Sequence, residues 1–187
     1  KVKGSKKVTL EQKEVGEFDA IEVFDDLKVF LVKADKCSIE IEADDNIHDA
    51  LGVYLNGKSL QLKMAKDISS YKKFQVRVYY TNDFKTVVSR ADTEINALAT
   101  IDLNEITFKS FDYSKLILNA KTKSFSLVAT DKTRAEINLK SDNTTVELSK
   151  NTRAKFLISS PAIKMDLYQN AEAEFEGDAN QMKIRMD

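Results

Sequence analysis

Proline occurs once in this chain, at Pro161, glycine five times, and tryptophan not at all. No stretch is rich enough in Pro, Gly or Ser to divide the 187 residues into linker-separated units. With one cysteine, Cys37, no disulfide can form within the chain; with one histidine, His48, any site that needs two imidazoles is excluded. Cys37 stands in the alternating run "KCSIEIEA", where it is expected to be a buried, small apolar side chain. No run of eighteen apolar residues exists, so no membrane-spanning helix is expected. An excess of one charge is missing too. Twenty-nine Lys plus Arg against 30 Asp plus Glu leave a net charge of −1, and with it no basic footprint for nucleic acid or an anionic membrane. Phosphate-binding glycine loops, nucleophile elbows and zinc spacings are absent, so no catalytic residue, metal or cofactor is indicated.

What is present is strand pattern. The runs "FDAIEV" (18–23), "LKVFLV" (27–32), "CSIEIEA" (37–43), "SLQLKM" (59–64, after the turn Asn56-Gly57-Lys58) and "FQVRVYY" (74–80) alternate apolar and polar residues with period two. A short helix or turn is expected at "DDNIHDALG", capped by Asp44 or Asp45 and ended by Gly52. Helical periodicity is nearly absent elsewhere.

From about residue 84 a unit of small residue, charge and large apolar residue recurs. The copies are Thr93-Glu94-Ile95, Ser114-Lys115-Leu116, Ala135-Glu136-Ile137, Ala154-Lys155-Phe156 and Ala173-Glu174-Phe175, spaced 21, 21, 19 and 19 residues apart. Between them lie the apolar pairs Ile106/Phe108, Phe125/Leu127, Val146/Leu148, Met165/Leu167 and Met182/Ile184. One such coil cannot bury its apolar stripe alone, whereas stacked coils pair their strands in parallel and build one continuous core. The pattern therefore predicts an all-β fold: a parallel β-helix, or β-solenoid, with coils of about 19–21 residues and two strands per coil. Residues 1–83 form a β-rich half continuous with it, and 84–187 the repetitive coils. An antiparallel β-sandwich is the alternative, since its strands also recur at short intervals. In the solenoid register, Ala135, Ile137 and Leu139 face inward and Glu136 and Asn138 outward. Small residues at 93, 114, 135, 154 and 173 would occupy a tight corner. Glu94, Lys115, Glu136, Lys155 and Glu174 would form one ladder of alternating sign.

With "FDAIEV", "CSIEIEADDNI" (37–47), "GKSLQLKM" (57–64) and "FQVRVYYTNDFKTV" (74–87) followed by these coils, the chain resembles the bacterial putative auto-transporter adhesin, head GIN domain proteins, from about Thr9 onward. The resemblance implies a β-helix, a cell-envelope or exported location, and an adhesive role. It departs from the family at the corners. Where members carry glycine-rich segments, this chain has "SRADT", "SFDYS", "TDKTRA", "SKNTRA" and "QNAEA". Positive φ is costly without glycine, so wider or differently shaped turns are expected there. The chain starts at Lys1, which is compatible with removal of a signal peptide or lipid anchor from a precursor.

The candidate surface follows from the register. Ile117 and Leu157 point outward, Phe111 and Tyr113 share a corner, and Tyr71, Tyr79 and Tyr80 form a second exposed patch; Phe111, Tyr113, Ile117, Leu157, Tyr79 and Tyr80 are the expected partner-binding residues. The expected partner is a glycan or a protein, with a homo-oligomer also open. A carbohydrate-active enzyme on the β-helix is the alternative function, needing two convergent carboxylates. An end-to-end scaffold is a further one. His48 reads as an exposed turn residue. Asp44, Asp45, Asn46 and Asp49 offer oxygens to Ca²⁺ but lack EF-hand spacing, and a capping turn explains the same residues.

Overall fold

A computed structural model describes residues 1–187. Its strands are β1 (Val2–Lys3), β2 (Val8–Lys13), β3 (Ala20–Val23), β4 (Lys28–Lys33), β5 (Ser38–Asp44), β6 (Leu51–Asn56), β7 (Ser59–Met64), β8 (Ile68–Ser69) and β9 (Phe74–Tyr80). The repetitive part contains β10 (Thr86–Ser89), β11 (Glu94–Ser110), β12 (Lys115–Ala129), β13 (Arg134–Leu148), β14 (Arg153–Ser159), β15 (Ala162–Leu167), β16 (Glu172–Asp178) and β17 (Gln181–Met186). β11, β12 and β13 each bend from one sheet into the other. One sheet thus runs β6–β7–β3–β10 and then the second halves of β11, β12 and β13, followed by β15 and β17. The other runs β2–β5–β9–β4, the first halves of β11, β12 and β13, then β14 and β16. From β3 and β4 to β16 and β17 every rung is parallel: the chain is a β-solenoid. Only β2, β5 and β6 pair antiparallel with their neighbours, at the N-terminal end. No helix is long and apolar enough to cross a membrane.

The register corrects the repeat alignment. Lys115 lies beside Arg134, not Glu136, and Arg134 beside Arg153. The true intervals are therefore 21, 19, 19 and 19. The two extra residues of the first coil sit in an irregularity between Ala97 and Ile101, where four positions of β11 span two of β12. Core volume explains why the residue classes mislead. One inward column reads Ile95, Leu116, Ala135, Ala154, Ala173; the next reads Ala97, Leu118, Ile137, Phe156, Phe175. The first column falls to Ala from Ala135 onward while the second keeps a large residue from Leu118 to Phe175, so the large residue of the repeat moves two positions along the strand. The same two-residue slip puts Val146 under Leu127 and Ile184 under Met165. Inward and outward faces are nevertheless as expected for Ala135, Ile137 and Leu139, which are buried, and Glu136 and Asn138, which are exposed.

The corners also differ from expectation. Two consecutive residues adopt positive φ at Asp25-Asp26, Ala91-Asp92, Asp112-Tyr113, Asp131-Lys132, Lys150-Asn151 and Gln169-Asn170, all between 49° and 65°. These are tight primed turns built without glycine, at about 1–2 kcal/mol per left-handed residue. Three sets of hydrogen bonds offset that cost. The turn closes through Ser114 N–H to Phe111 O, Thr152 N–H to Ser149 O and Ala171 N–H to Tyr168 O. Hydroxyls of Thr93, Ser114 and Thr133 donate to the carbonyls of Arg90, Phe111 and Thr130 at 2.7, 2.6 and 2.9 Å. Between coils, Asp26, Asp92, Tyr113, Lys132 and Asn151 N–H groups donate to the corner carbonyl of the next coil at 2.8–3.0 Å. The corner column is thus Thr93, Ser114, Thr133, Thr152 and Ala171. Ala135, Ala154 and Ala173 stand in the core instead, and Thr-Arg-Ala recurs because one coil is nineteen residues long.

In the N-terminal part, Gly57 and Lys58 make the two-residue hairpin loop between β6 and β7. "DDNIHDALG" forms one 3₁₀ turn, His48–Ala50, with no side-chain cap, and Gly52 lies in β6. Asp44 cannot cap because its buried carboxylate accepts the backbone N–H groups of Lys6, Lys72 and Lys73. His48 is buried rather than exposed, with Nε2 donating to Ala43 O at 3.0 Å and lying 2.9 Å from Thr9 Oγ1. Its Nδ1 is 3.3 Å from a Glu11 carboxylate oxygen, without hydrogen-bond geometry. Cys37 is buried, its thiol directed at Phe18 O at 3.7 Å.

Candidate binding face

Parallel stacking turns each outward position of the second sheet into a column across coils, and four columns make its outer face. The first reads Lys28, Glu94, Lys115, Arg134, Arg153, Glu172. The second reads Phe30, Asn96, Ile117, Glu136, Lys155, Glu174, and the third contains Asn119, Asn138, Leu157, Glu176. The fourth runs Asp102, Lys121, Lys140, Ser159, Asp178. The expected single ladder of alternating sign is therefore split between the first two columns, because the coil after Lys115 is two residues shorter than its alignment required. Three cations, Lys115, Arg134 and Arg153, instead follow one another. Glu94 closes one end of this run, 3.6 Å from Lys28 Nζ and 3.9 Å from Lys115 Nζ, and Glu172 the other, 3.5 Å from Arg153. Arg134 in the middle has no carboxylate partner and donates to the carbonyls of Asn151 and Thr133 at 2.8 and 3.1 Å.

Beside the cation run, Lys115, Arg134, Glu136, Arg153 and Lys155 line a hollow of about 350 Å³. A shallower groove of about 490 Å³ passes over Ile117, Asn119, Asn138, Lys155 and Leu157. Leu157 is 51% exposed and Ile117 half-buried, so both face outward. Asn119 donates from Nδ2 to the carbonyls of Ala97 and Leu98, which fixes its amide along the stack. Leu98, 62% exposed, stands at the irregularity where the face begins.

At the corner, Phe111 and Tyr113 do not form one exposed patch. Phe111 is half-buried beneath the Arg90 guanidinium, 4.5 Å from its ring centre, and Arg90 Nε is held 3.1 Å from Glu22. Tyr113 is exposed. Lys132 Nζ donates to its hydroxyl at 3.1 Å and lies 5.2 Å from its ring centre, which holds the ammonium above the usual lysine range. Acids gather on the same corner. A hydrogen bond with Asp131, then burial, push the Asp112 carboxyl up; burial, then the charge of Asp92, push Asp26 up.

The second expected patch is not a patch. In β9, neighbours point to opposite faces: Val76, Val78 and Tyr80 inward, Tyr79 outward. Tyr80 is fully buried, stacked on Phe84 at 4.9 Å with Phe84 edge-on to Phe18, and burial, then the Asp102 charge, push its hydroxyl to about 12. Tyr79 is half-buried, and exposed Tyr71 packs edge-on to Phe74. The calcium oxygens do not converge either. Asp44 is committed to backbone N–H groups, Asp45 accepts from Ser5 Oγ, Asn46 bridges Ser5 N and Lys3 O, and Asp49 pairs with Lys66. No cluster of three His, Cys, Asp or Glu side chains fit to hold a metal is formed.

The columns themselves were invisible to residue-class matching. The small residue that follows each two-residue corner, Thr93, Ser114, Thr133, Thr152 and Ala171, is the signal that would have found them.

A family model described as "Putative auto-transporter adhesin, head GIN domain" matches residues 17–187. Three solved structures share the fold. A putative adhesin from Parabacteroides merdae superposes with a TM-score of 0.71 at 14% identity, covering 99% of this chain and 95% of that one. A protein described as a putative lipid binding protein from Parabacteroides distasonis gives 0.67 at 10%, covering 99% and 96%. A putative adhesin from Bacteroides fragilis gives 0.58 at 13%, covering 98% and 100%. No curated protein matches the chain.

Proposed function

The chain belongs to the head GIN domain family of putative auto-transporter adhesins, and from that premise we propose that it is a non-catalytic binding module of the cell envelope. Its partner is an extended one, a glycan strand or a protein segment, laid along the outer face of the second sheet. The observation that carries this reading is the third column: Asn119 directly beside Asn138, with exposed Leu157 next in line and Ile117 alongside. The Asn138 amide presents donors and an acceptor. Asn119, whose Nδ2 is held by the carbonyls of Ala97 and Leu98, presents its Oδ1 one strand spacing of about 4.8 Å away, and the leucine supplies an apolar contact within the same groove. Tyr113, exposed at the corner, extends the surface. The description of one similar structure as lipid binding does not transfer. Two hollows here, of about 670 and 690 Å³, share Glu14, Asp35 and Lys36 and are lined mainly by polar and charged residues, a poor match for an acyl chain.

Glycan and peptide arrays probed with the full chain, alongside turnover assays on the retained glycans, test the proposal. The expected result is retention without product release, with binding falling at least tenfold in Leu157→Asp/Asn138→Ala at unchanged melting temperature. Product release, or full binding by that variant, overturns it.

A further inference from the structure

The two ends of the solenoid are finished differently. At the N-terminal end the sheets close with antiparallel strands, and the nearby Ile47, Ala50 and Leu51 are buried. At the other end, β16 is hydrogen-bonded only to β14 and β17 only to β15. The outer edges of both strands, seven and six residues long, carry backbone groups that no strand of residues 1–187 pairs.

The inward side chains of this last coil are apolar. Phe175 stacks on Phe156 at 5.2 Å, which leaves its other face open. Met182, Ile184 and Met186 continue the columns of Ile163, Met165 and Leu167 and are 42%, 45% and 74% exposed, whereas the three residues they follow are buried. An open edge backed by an uncovered core stripe is a template for another strand.

The outward side chains differ in sign between the two edges. β16 carries Glu172, Glu174, Glu176 and Asp178; β17 carries Lys183 and Arg185. That difference selects the occupant. We propose that the open end binds the open end of a second copy, tail to tail, with β16 of each copy pairing antiparallel to β17 of the other.

Two strands of a coil run in opposite directions on opposite sheets. A two-fold axis parallel to the strands therefore places β17 of one copy under β16 of the other, and does so twice. The alternative two-fold, perpendicular to the strands, would set β16 on β16 and β17 on β17, acids against acids and cations against cations, which is unfavourable directly across a ladder. The favoured arrangement sets acids against cations on both sides. It also buries Phe175 and the Met182, Ile184 and Met186 row inside a continuous core, with about six backbone hydrogen bonds per strand pair. Because both open edges are used, the assembly closes at two copies and does not grow into a fibre.

Sedimentation equilibrium of the full chain over about 1–100 μM, with melting curves on every variant to verify folding, tests this. The expected species is a dimer of the 21.1 kDa chain. Reversing one edge, by Lys183→Glu/Arg185→Glu or by Glu172→Lys/Glu174→Lys, should weaken the dimer at least tenfold. Combining both reversals in one chain restores the complementarity and should restore the dimer. A strict monomer overturns the proposal. So does a dimer indifferent to both single reversals, or amides of β16 and β17 protected from hydrogen exchange in a monomer, which would mean another occupant covers the edge.

Discussion

Replacing Asp44 by Asn should loosen the N-terminal end of the molecule more than any other change of one atom. The Asp44 carboxylate is fully buried. Oδ1 accepts the N–H groups of Lys72 and Lys73 at 3.0 and 2.9 Å, and Oδ2 those of Lys6 and Lys72, both at 3.0 Å. One side chain thus ties the loop after β8 and the segment before β2 to the end of β5. An amide keeps one oxygen and puts an NH₂ where the other stood, facing a backbone N–H. Hydrogen bonds to a charged group contribute about 1.5–3 kcal/mol each, and a buried donor left without an acceptor costs about 1–3 kcal/mol. Weakening the set and losing at least one member gives an expected loss of about 3–5 kcal/mol, read as a lower urea midpoint at pH 7. Faster amide exchange at Lys6, Lys72 and Lys73 should accompany it. Burial alone would raise this carboxyl, but the three N–H donors outweigh it and hold it below the usual range. A depressed folded value means that the stabilisation is present above the ordinary carboxylate value of about 3.9 and lost as pH falls through the folded one. The gap between wild type and Asp44→Asn should therefore shrink below about pH 4. Because these oxygens are already committed, neither Ca²⁺ nor EDTA should shift the midpoint. A variant within about 0.5 kcal/mol of wild type at pH 7, or a gap constant down to pH 2, would refute the reasoning.

Equivalent corner threonines should respond differently. Thr133 Oγ1 donates to Thr130 O, while the Thr152 hydroxyl, equally buried, has no partner. In thermal melts Thr133→Val should cost about 1 kcal/mol and Thr152→Val nothing or a slight gain; the reverse order would contradict the corner description. Asp112→Asn should stabilise the protein near neutral pH by about 0.5–1 kcal/mol, discounted for exposure, since Asn tolerates positive φ and the substitution removes repulsion from Asp131. A raised carboxyl contributes stability below its unfolded value and loses it as pH rises through the folded one, so this gain should fade below about pH 4. A lower melting temperature at pH 7 would count against it.

Strand positions and facing were legible because alternation depends on which side of a sheet is wet, and that is written residue by residue in "CSIEIEA" or "AEINL". Coil length was legible from Thr-Arg-Ala, whose two copies do lie in register. The register of the whole stack was less so. At one step Leu116 gives way to Ala135 while the neighbouring column keeps its large residue, Leu118 followed by Ile137, and matching residues by size slips into that column. The corners misled for another reason. Glycine is the cheapest route to positive φ, but inter-coil hydrogen bonds and the Ser or Thr hydroxyl let Asp, Lys, Asn and even Tyr113 adopt it. Phe111 was not legible because a cation from the preceding coil, Arg90, covers it, a contact that no local window contains, whereas the burial of Tyr80 follows from the alternation of β9 itself, which turns Tyr79 and Tyr80 to opposite faces.

The stacking register is the claim on which the binding face, the corners and the open end all rest, and disulfide mapping tests it most directly. Neighbouring parallel strands place paired Cα atoms about 4.8 Å apart, whereas a two-residue offset puts them about 8 Å apart, outside disulfide reach. In a Cys37→Ala background, Lys115→Cys/Arg134→Cys should oxidise to an intramolecular disulfide and Lys115→Cys/Glu136→Cys should stay reduced. Cross-linking of 115 to 136 in preference to 134 would contradict the fold as described.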